Sequence, residues 1–153
     1  RFAMPVAEGV PVDVVDLAAV VRDVVQLYRA GDSPIAWEAD ATGAVFGMTR
    51  RDELVEVLVN LCENARAAGA RRVVLAARGG PDRTIVEVRD DGRGIAPGNL
   101  SRVFEPKFST TTSGSGLGLA ISKRLVESWG GTIAVVAADG PGTIVWIELR
   151  STA

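Results

Sequence analysis

Two asparagines four residues apart, Asn60 and Asn64, stand in the stretch Asn60-Leu-Cys-Glu-Asn64. At that spacing on a helix their side chains stack on one face. An amide oxygen is a neutral hard ligand, suited to magnesium when phosphates bring the anionic ligands; the plainer alternative is a pair of solvent-facing helix residues. Asp90-Asp-Gly-Arg-Gly94 follows a predicted strand. A carboxylate at a strand exit accepts a hydrogen bond from an adenine amino group and selects against guanine, which shows an acceptor there. The glycines let backbone approach a planar base. An ordinary strand-exit turn is the competing reading, and Asp91 reads as a turn or solvated residue.

Gly114-Ser-Gly-Leu-Gly118 opens a predicted helix, whose free N–H groups and dipole favour a phosphate. A dinucleotide fingerprint would need a strand directly before it. Phe108-Ser-Thr-Thr-Thr-Ser113 stands there instead, with the hydroxyl content of a loop. In Phe104-Glu-Pro-Lys-Phe108 the phenylalanines suit the root of a flap and Lys107 a phosphate; two core rings and a surface lysine fit the same residues. In this order the four pieces describe a pocket for a magnesium nucleotide under a flap.

Positioning these groups takes a core. At 153 residues, 47% apolar and 24% charged, the chain suits one globular domain with a buried interior. Spacing predicts helices over 17–29, about 50–68 and about 117–129. Asp13-Val-Val-Asp16 has the form of a capping box for the first, and Thr49 with Asp52 that of a cap for the second. Strands are predicted over 35–38 and 44–47 around the turn Asp40-Ala-Thr-Gly43, over 73–77 and 84–89, and over 133–137 and 143–149, the last two pairs as hairpins. Residues 90–115 read as a long loop with one helical turn at 99–103. The fold class is α/β (α+β), a two-layer sandwich without repeats or a second domain.

A net charge of −2 gives no basic footprint, which argues against nucleic acid as partner. The single cysteine, Cys62, reads as a small buried hydrophobe. The absence of histidine excludes a Ser-His-Asp triad or a histidine-ligated zinc site within this chain. No apolar run approaches the roughly 20 residues that cross a bilayer. The sequence opens on Arg1 rather than Met, as a piece of a longer protein would.

The four pieces resemble, in order, the N, G1, F and G2 boxes of the GHKL (Bergerat-fold) ATP-binding domain, and most nearly the catalytic domain of two-component sensor histidine kinases. The resemblance runs from about Pro11 to Leu149. It implies a mixed, mostly antiparallel sheet with three helices on one face, a catalytic domain over 11–150, and residues 1–10 as a linker from a preceding dimerisation helix. It further implies ATP and Mg2+ as ligands, with Asn64 on the metal and Asn60 assisting. Asp90 would bind the adenine amino group, with Gly92, Gly94 and Ile95 around the base and Thr143 supporting Asp90. Gly114, Ser115, Gly116, Leu117 and Gly118 would frame the phosphates, and Thr110 lies in the segment that would form the lid.

Two departures stand out, and one is the lid, which is short and has Ser109 where many relatives carry an Arg after the F-box aromatics. Many histidine kinases carry Lys three residues after the metal asparagine and an aromatic beside it, where this chain has Ala67 and Ala68. Arg66, Lys107 or lid hydroxyls are left to contact the phosphates, with no choice among them. Gyrase-, Hsp90- and MutL-type relatives, and serine kinases of the anti-sigma type, place a glutamate where Asn60 stands. An amide cannot take up water's proton, which favours transfer to an imidazole and makes Asn60 and Lys107 the candidates beside the reacting phosphoryl group. The implied partners are a histidine-bearing dimerisation domain and a response-regulator receiver domain, in the cytoplasm, without direct membrane contact. A free-standing serine-kinase regulator and a nucleotide sensor without turnover are the alternatives.

Overall fold

The computed structural model describes residues 11–106 and 118–151. A short strand, β1 (Asp13–Asp16), leads into α1 (Leu17–Arg29); β2 (Ala36–Asp40) and β3 (Phe46–Thr49) precede α2 (Arg51–Ala67). β4 (Arg72–Gly79) and β5 (Arg83–Asp90) follow, then a 3-10 turn (Pro97–Arg102), α3 (Gly118–Ser128), β6 (Thr132–Ala137) and β7 (Thr143–Arg150). Five strands form one sheet in the order β2-β4-β5-β7-β6. β2 runs parallel to β4 and every other neighbour is antiparallel. β1 and β3 make a separate antiparallel ribbon.

Alternation along the central strands sends Val73, Leu75, Val86, Val88, Ile147 and Leu149 to one face, all at most 2% exposed. There they join the apolar stripes of the helices, among them Leu17, Val21 and Val25 of α1, Leu54, Leu58 and Leu61 of α2, and Leu125 and Val126 of α3. This is the two-layer arrangement the periodicity predicts. Cys62 is fully buried in that layer, and burial pushes its thiol up to about 12, so it stays inert packing.

Three local expectations are corrected. The cap of α1 is Asp16, not Asp13: its Oδ1 accepts from the backbone N–H groups of Ala18 (3.1 Å) and Ala19 (3.3 Å), and from Val45 N–H (3.2 Å). Asp13 cannot cap because the four residues before the helix are held extended against β3. Thr49 does not cap α2 either. It closes β3, fully buried, and Arg50 takes the cap position without a side-chain cap bond; Asp52 and Glu53 in the first turn favour the helix dipole instead. Finally, β2 and β3 are not partners across the turn at 40–43. They lie in different sheets, with α2 inside the long crossover that a parallel β2–β4 pair requires. The two predicted hairpins, β4–β5 and β6–β7, are present.

Candidate functional site

β5 ends at Asp90, directly opposite Thr143, the first residue of β7. Opposed residues of an antiparallel pair present their side chains to the same face, so the half-buried acid and the buried threonine are neighbours. Asp90 Oδ1 accepts from the Gly92 N–H at 2.8 Å. Burial lifts the Asp90 carboxyl above its usual range; hydrogen bonds from the Gly92 and Thr143 backbones oppose the rise, and the charge of Asp91 adds to it.

Glycines make this corner possible. Gly142 has φ +119°, and a Cβ there would run into the Asp90 carbonyl. Gly94 has φ +78°, and a Cβ on it would lie 3.1 Å from the Gly142 carbonyl oxygen. A side chain at either position would push the start of β7 off the exit of β5. Ile95, next in the chain, packs half-buried against the core.

Asn60, Asn64 and Ala68 fall four residues apart along one stripe of α2. The Asp90 loop sits on the last of them. A Cβ on Gly92 would meet the Ala68 carbonyl oxygen at 2.7 Å and the Ala68 Cβ at 2.9 Å. The Arg93 N–H donates to Ala68 O at 3.0 Å, and Arg93 Nη1 to Ala67 O at 3.2 Å. Asn64 lies one turn before this seat, its carbonyl accepting from the Ala68 N–H at 3.0 Å. Both asparagines are half-buried. A side chain at Gly92 would therefore run into Ala68, and the small residue at 68 lets loop and helix touch.

Arg66 points to other duties. Its guanidinium lies 5.5 Å from the centre of the Tyr28 ring and 3.8 Å from Glu63, and Tyr28 donates its hydroxyl hydrogen bond to Glu63 at 2.7 Å. Asp91, read as a turn residue, has a specific job that sequence reasoning missed: its Oδ1 accepts from the N–H groups of Arg71 (2.8 Å) and Arg72 (2.9 Å). No local pattern announces that bond, because the donors lie about twenty residues earlier.

Gly118 begins α3. Its far end is anchored by Trp129, which is 1% exposed and donates Nε1–H to Glu53 at 2.7 Å. At the root of the expected flap, Val103 is fully buried while Phe104 is half-buried, with the Lys123 ammonium 5.6 Å from its ring centre. Lys107, Thr110, Gly114, Ser115, Gly116, Leu117 and Phe108 lie outside the described residues. Two surface clefts, about 440 and 390 Å³, meet at residues 33 and 35, and neither is lined by Asn64 or Asp90.

The donor set fits a magnesium nucleotide. Among the described residues no group of three or more Asp, Glu, Cys or His is disposed to hold a bare cation, whereas a metal arriving with phosphates needs little more than an amide oxygen. A half-buried carboxylate whose donors are backbone N–H groups suits the amino group of a base.

A two-layer α/β domain with this corner defines a class, the Bergerat-type nucleotide domains. The sequence profile of the histidine kinase-, DNA gyrase B- and HSP90-like ATPases matches residues 49–153, and the chain belongs to that family. It is 42% identical over 103 residues to sensor histidine kinase ZraS of Salmonella typhi, covering 64% of this chain and 22% of that protein. It is 28% identical over 148 residues to nitrogen regulation protein NtrY of Azorhizobium caulinodans, covering 90% of this chain and 19% of the relative. The chain thus spans about a fifth of the length of these curated relatives. Among solved structures, a mycobacterial sensor histidine kinase, MprB, superposes with a TM-score of 0.77 at 30% identity, over 92% of this chain and 98% of that one. Full-length ShkA in complex with AMPPNP superposes with a TM-score of 0.78 at 31% identity, over 93% of this chain and 32% of that one. Among the described residues no helix is long and apolar enough to cross a membrane.

Proposed function

We propose that this chain is the ATP-binding catalytic domain of a sensor histidine kinase. The observation that supports the reading is the seating of the loop after Asp90 on Ala68, one helical turn beyond Asn64 on α2. The kinship with sensor histidine kinase ZraS, and the likeness to ShkA in complex with AMPPNP, support it.

Asp90 accepts from the adenine amino group, held by Gly92 and backed by Thr143, with Ile95 beside the base. Asn64 presents its amide oxygen to magnesium, and Asn60 supports it one turn earlier. Magnesium, when bound with ATP, spreads the charge that grows on the transferring phosphoryl group. The start of α3 offers N–H groups to the phosphates, with the glycines at 114, 116 and 118 and with Ser115, Leu117, Thr110 and Lys107 close by. Asn60 cannot serve as a base toward water, and the chain has no histidine. By kinship with the sensor kinases the acceptor is an imidazole on a dimerisation domain, and a receiver domain of a response regulator takes the phosphoryl group next. ATP as substrate places this domain in the cytoplasm.

The test mixes the domain with a purified histidine-bearing dimerisation domain and γ-labelled ATP. Label on the histidine is the expected result. ATP binding without transfer would overturn the kinase assignment and leave a nucleotide sensor.

A further inference from the structure

Two tethers hold the base-binding corner, one to the start of β4 and one to the end of α2. On one side, a single oxygen of Asp91 gathers the N–H groups of Arg71 and Arg72, where the chain leaves α2 for β4, at 2.8 and 2.9 Å. On the other, Arg93 supplies two donors to the terminal carbonyls of α2, its N–H to Ala68 O at 3.0 Å and Nη1 to Ala67 O at 3.2 Å. The last carbonyls of a helix have no partner within it, and a cation there also suits the dipole. Between these two tethers lies Gly92, with room for no side chain against Ala68. Its N–H is the group that orients the Asp90 carboxylate, at 2.8 Å.

We infer that Asp91 and Arg93 are positioning residues that fix the base-binding loop, Asp91 to the start of β4 and Arg93 to the end of the metal-bearing helix, so that the base end and the metal end of one nucleotide are bound as a coupled pair. The inference rests on the functional reading above. It assigns to these side chains a role that neither a base contact nor a phosphate contact supplies.

Two features support a positioning role over a purely stabilising one. Asp91 is exposed, so water replaces its hydrogen bonds cheaply when the side chain is removed, and the fold has little to lose. The Arg71 and Arg72 N–H groups also hold the Asp91 carboxyl below the usual range, so it is charged throughout the working pH range. What a severed tether loses is preorganisation. A loop free to shift along α2 still meets the base, but it must be ordered again when the metal end is engaged at Asn64.

The experiment titrates ATP into the wild-type domain, Asp91→Ala, Asp91→Asn and Arg93→Ala, each with magnesium and with EDTA. The measured quantity is the factor by which magnesium tightens binding. We expect that factor to fall about fivefold or more in Asp91→Ala, the lower end of ordinary coupling between sites. Affinity in EDTA should stay within about twofold of wild type, since the base contact is intact. Asp91→Asn keeps an acceptor oxygen and should recover most of the loss; Arg93→Ala should reproduce it in part. An unchanged magnesium factor in folded Asp91→Ala and Arg93→Ala would overturn the coupling, as would equal losses with and without magnesium. Wild-type protein that binds no ATP would instead overturn the functional reading itself. Should Asp91→Ala fail to fold, Asp91→Asn and Arg93→Ala decide between the same outcomes.

Discussion

In the proposed function Asp90 makes the contact that selects the base. A hydrogen bond to a charged group is worth about 1.5–3 kcal/mol, so Asp90→Ala should weaken ATP binding by roughly ten- to a hundredfold in a titration of folded protein. Its pH dependence has a defined sign. The free carboxyl sits above its usual value because it is buried, while a bound amino donor favours the ionised form. Binding therefore draws the carboxyl back down, and ATP affinity should rise with pH through the raised value and level off above it. Stability runs the other way: the unliganded fold gains from this group as pH falls through the same range. An affinity indifferent to pH as the solution is acidified would mean that Asp90 does not meet the base. The residue itself was legible in the sequence, because an acid beside glycines at a strand exit is a local pattern. Asp91, Ala68 and Gly142 were not, since their partners at residues 71–72, 92 and 90 are supplied by the tertiary fold.

At the scale of elements, apolar periodicity is readable and the ends of elements are less so. All three helices and both hairpins follow from spacing and turn residues. The cap of α1 does not, because two aspartates three residues apart offer the same local chemistry and only the pairing of β1 with β3 decides between them. Asp16 then does two things at once, capping α1 and accepting from Val45 N–H at 3.2 Å. Asp16→Ala should cost about 1–2 kcal/mol of unfolding free energy, the upper part of the range for a lost cap, whereas Asp13→Ala should cost much less. Denaturant melts of the two variants would show it. The same limit explains β2, whose parallel partner β4 lies beyond α2 and beyond any local signal.

Across the whole molecule, the helices and the candidate site occupy one side of the five-stranded sheet and a polar cluster marks the other. Glu87 alternates with core residues Val86 and Val88, so it faces away from the helices, yet it is only 5% exposed. Burial alone would raise its carboxyl, but hydrogen bonds from Arg89, Arg78 and Trp146 outweigh this and hold it low. Its stabilising effect is thus present at neutral pH and lost as pH falls through that depressed value. Glu87→Ala should lower stability by about 1.5–3 kcal/mol and leave ATP affinity within about twofold of wild type, because Glu87 lies on the opposite face of the sheet and its hydrogen-bond partners Arg78, Arg89 and Trp146 are not those of Asp90. A large loss of affinity in the folded variant would show that the two faces of the sheet are not separate in function.

Whether Asp90 and Asn64 serve the two ends of one nucleotide can be read from an amide-resolved NMR titration with Mn-ATP. The paramagnetic ion should broaden the resonances of Asn60 and Asn64, while Gly92, Gly94 and Thr143 shift with the same midpoint at one equivalent of ligand. Broadening at the asparagines without a matching response around Asp90, or two different midpoints, would contradict the account.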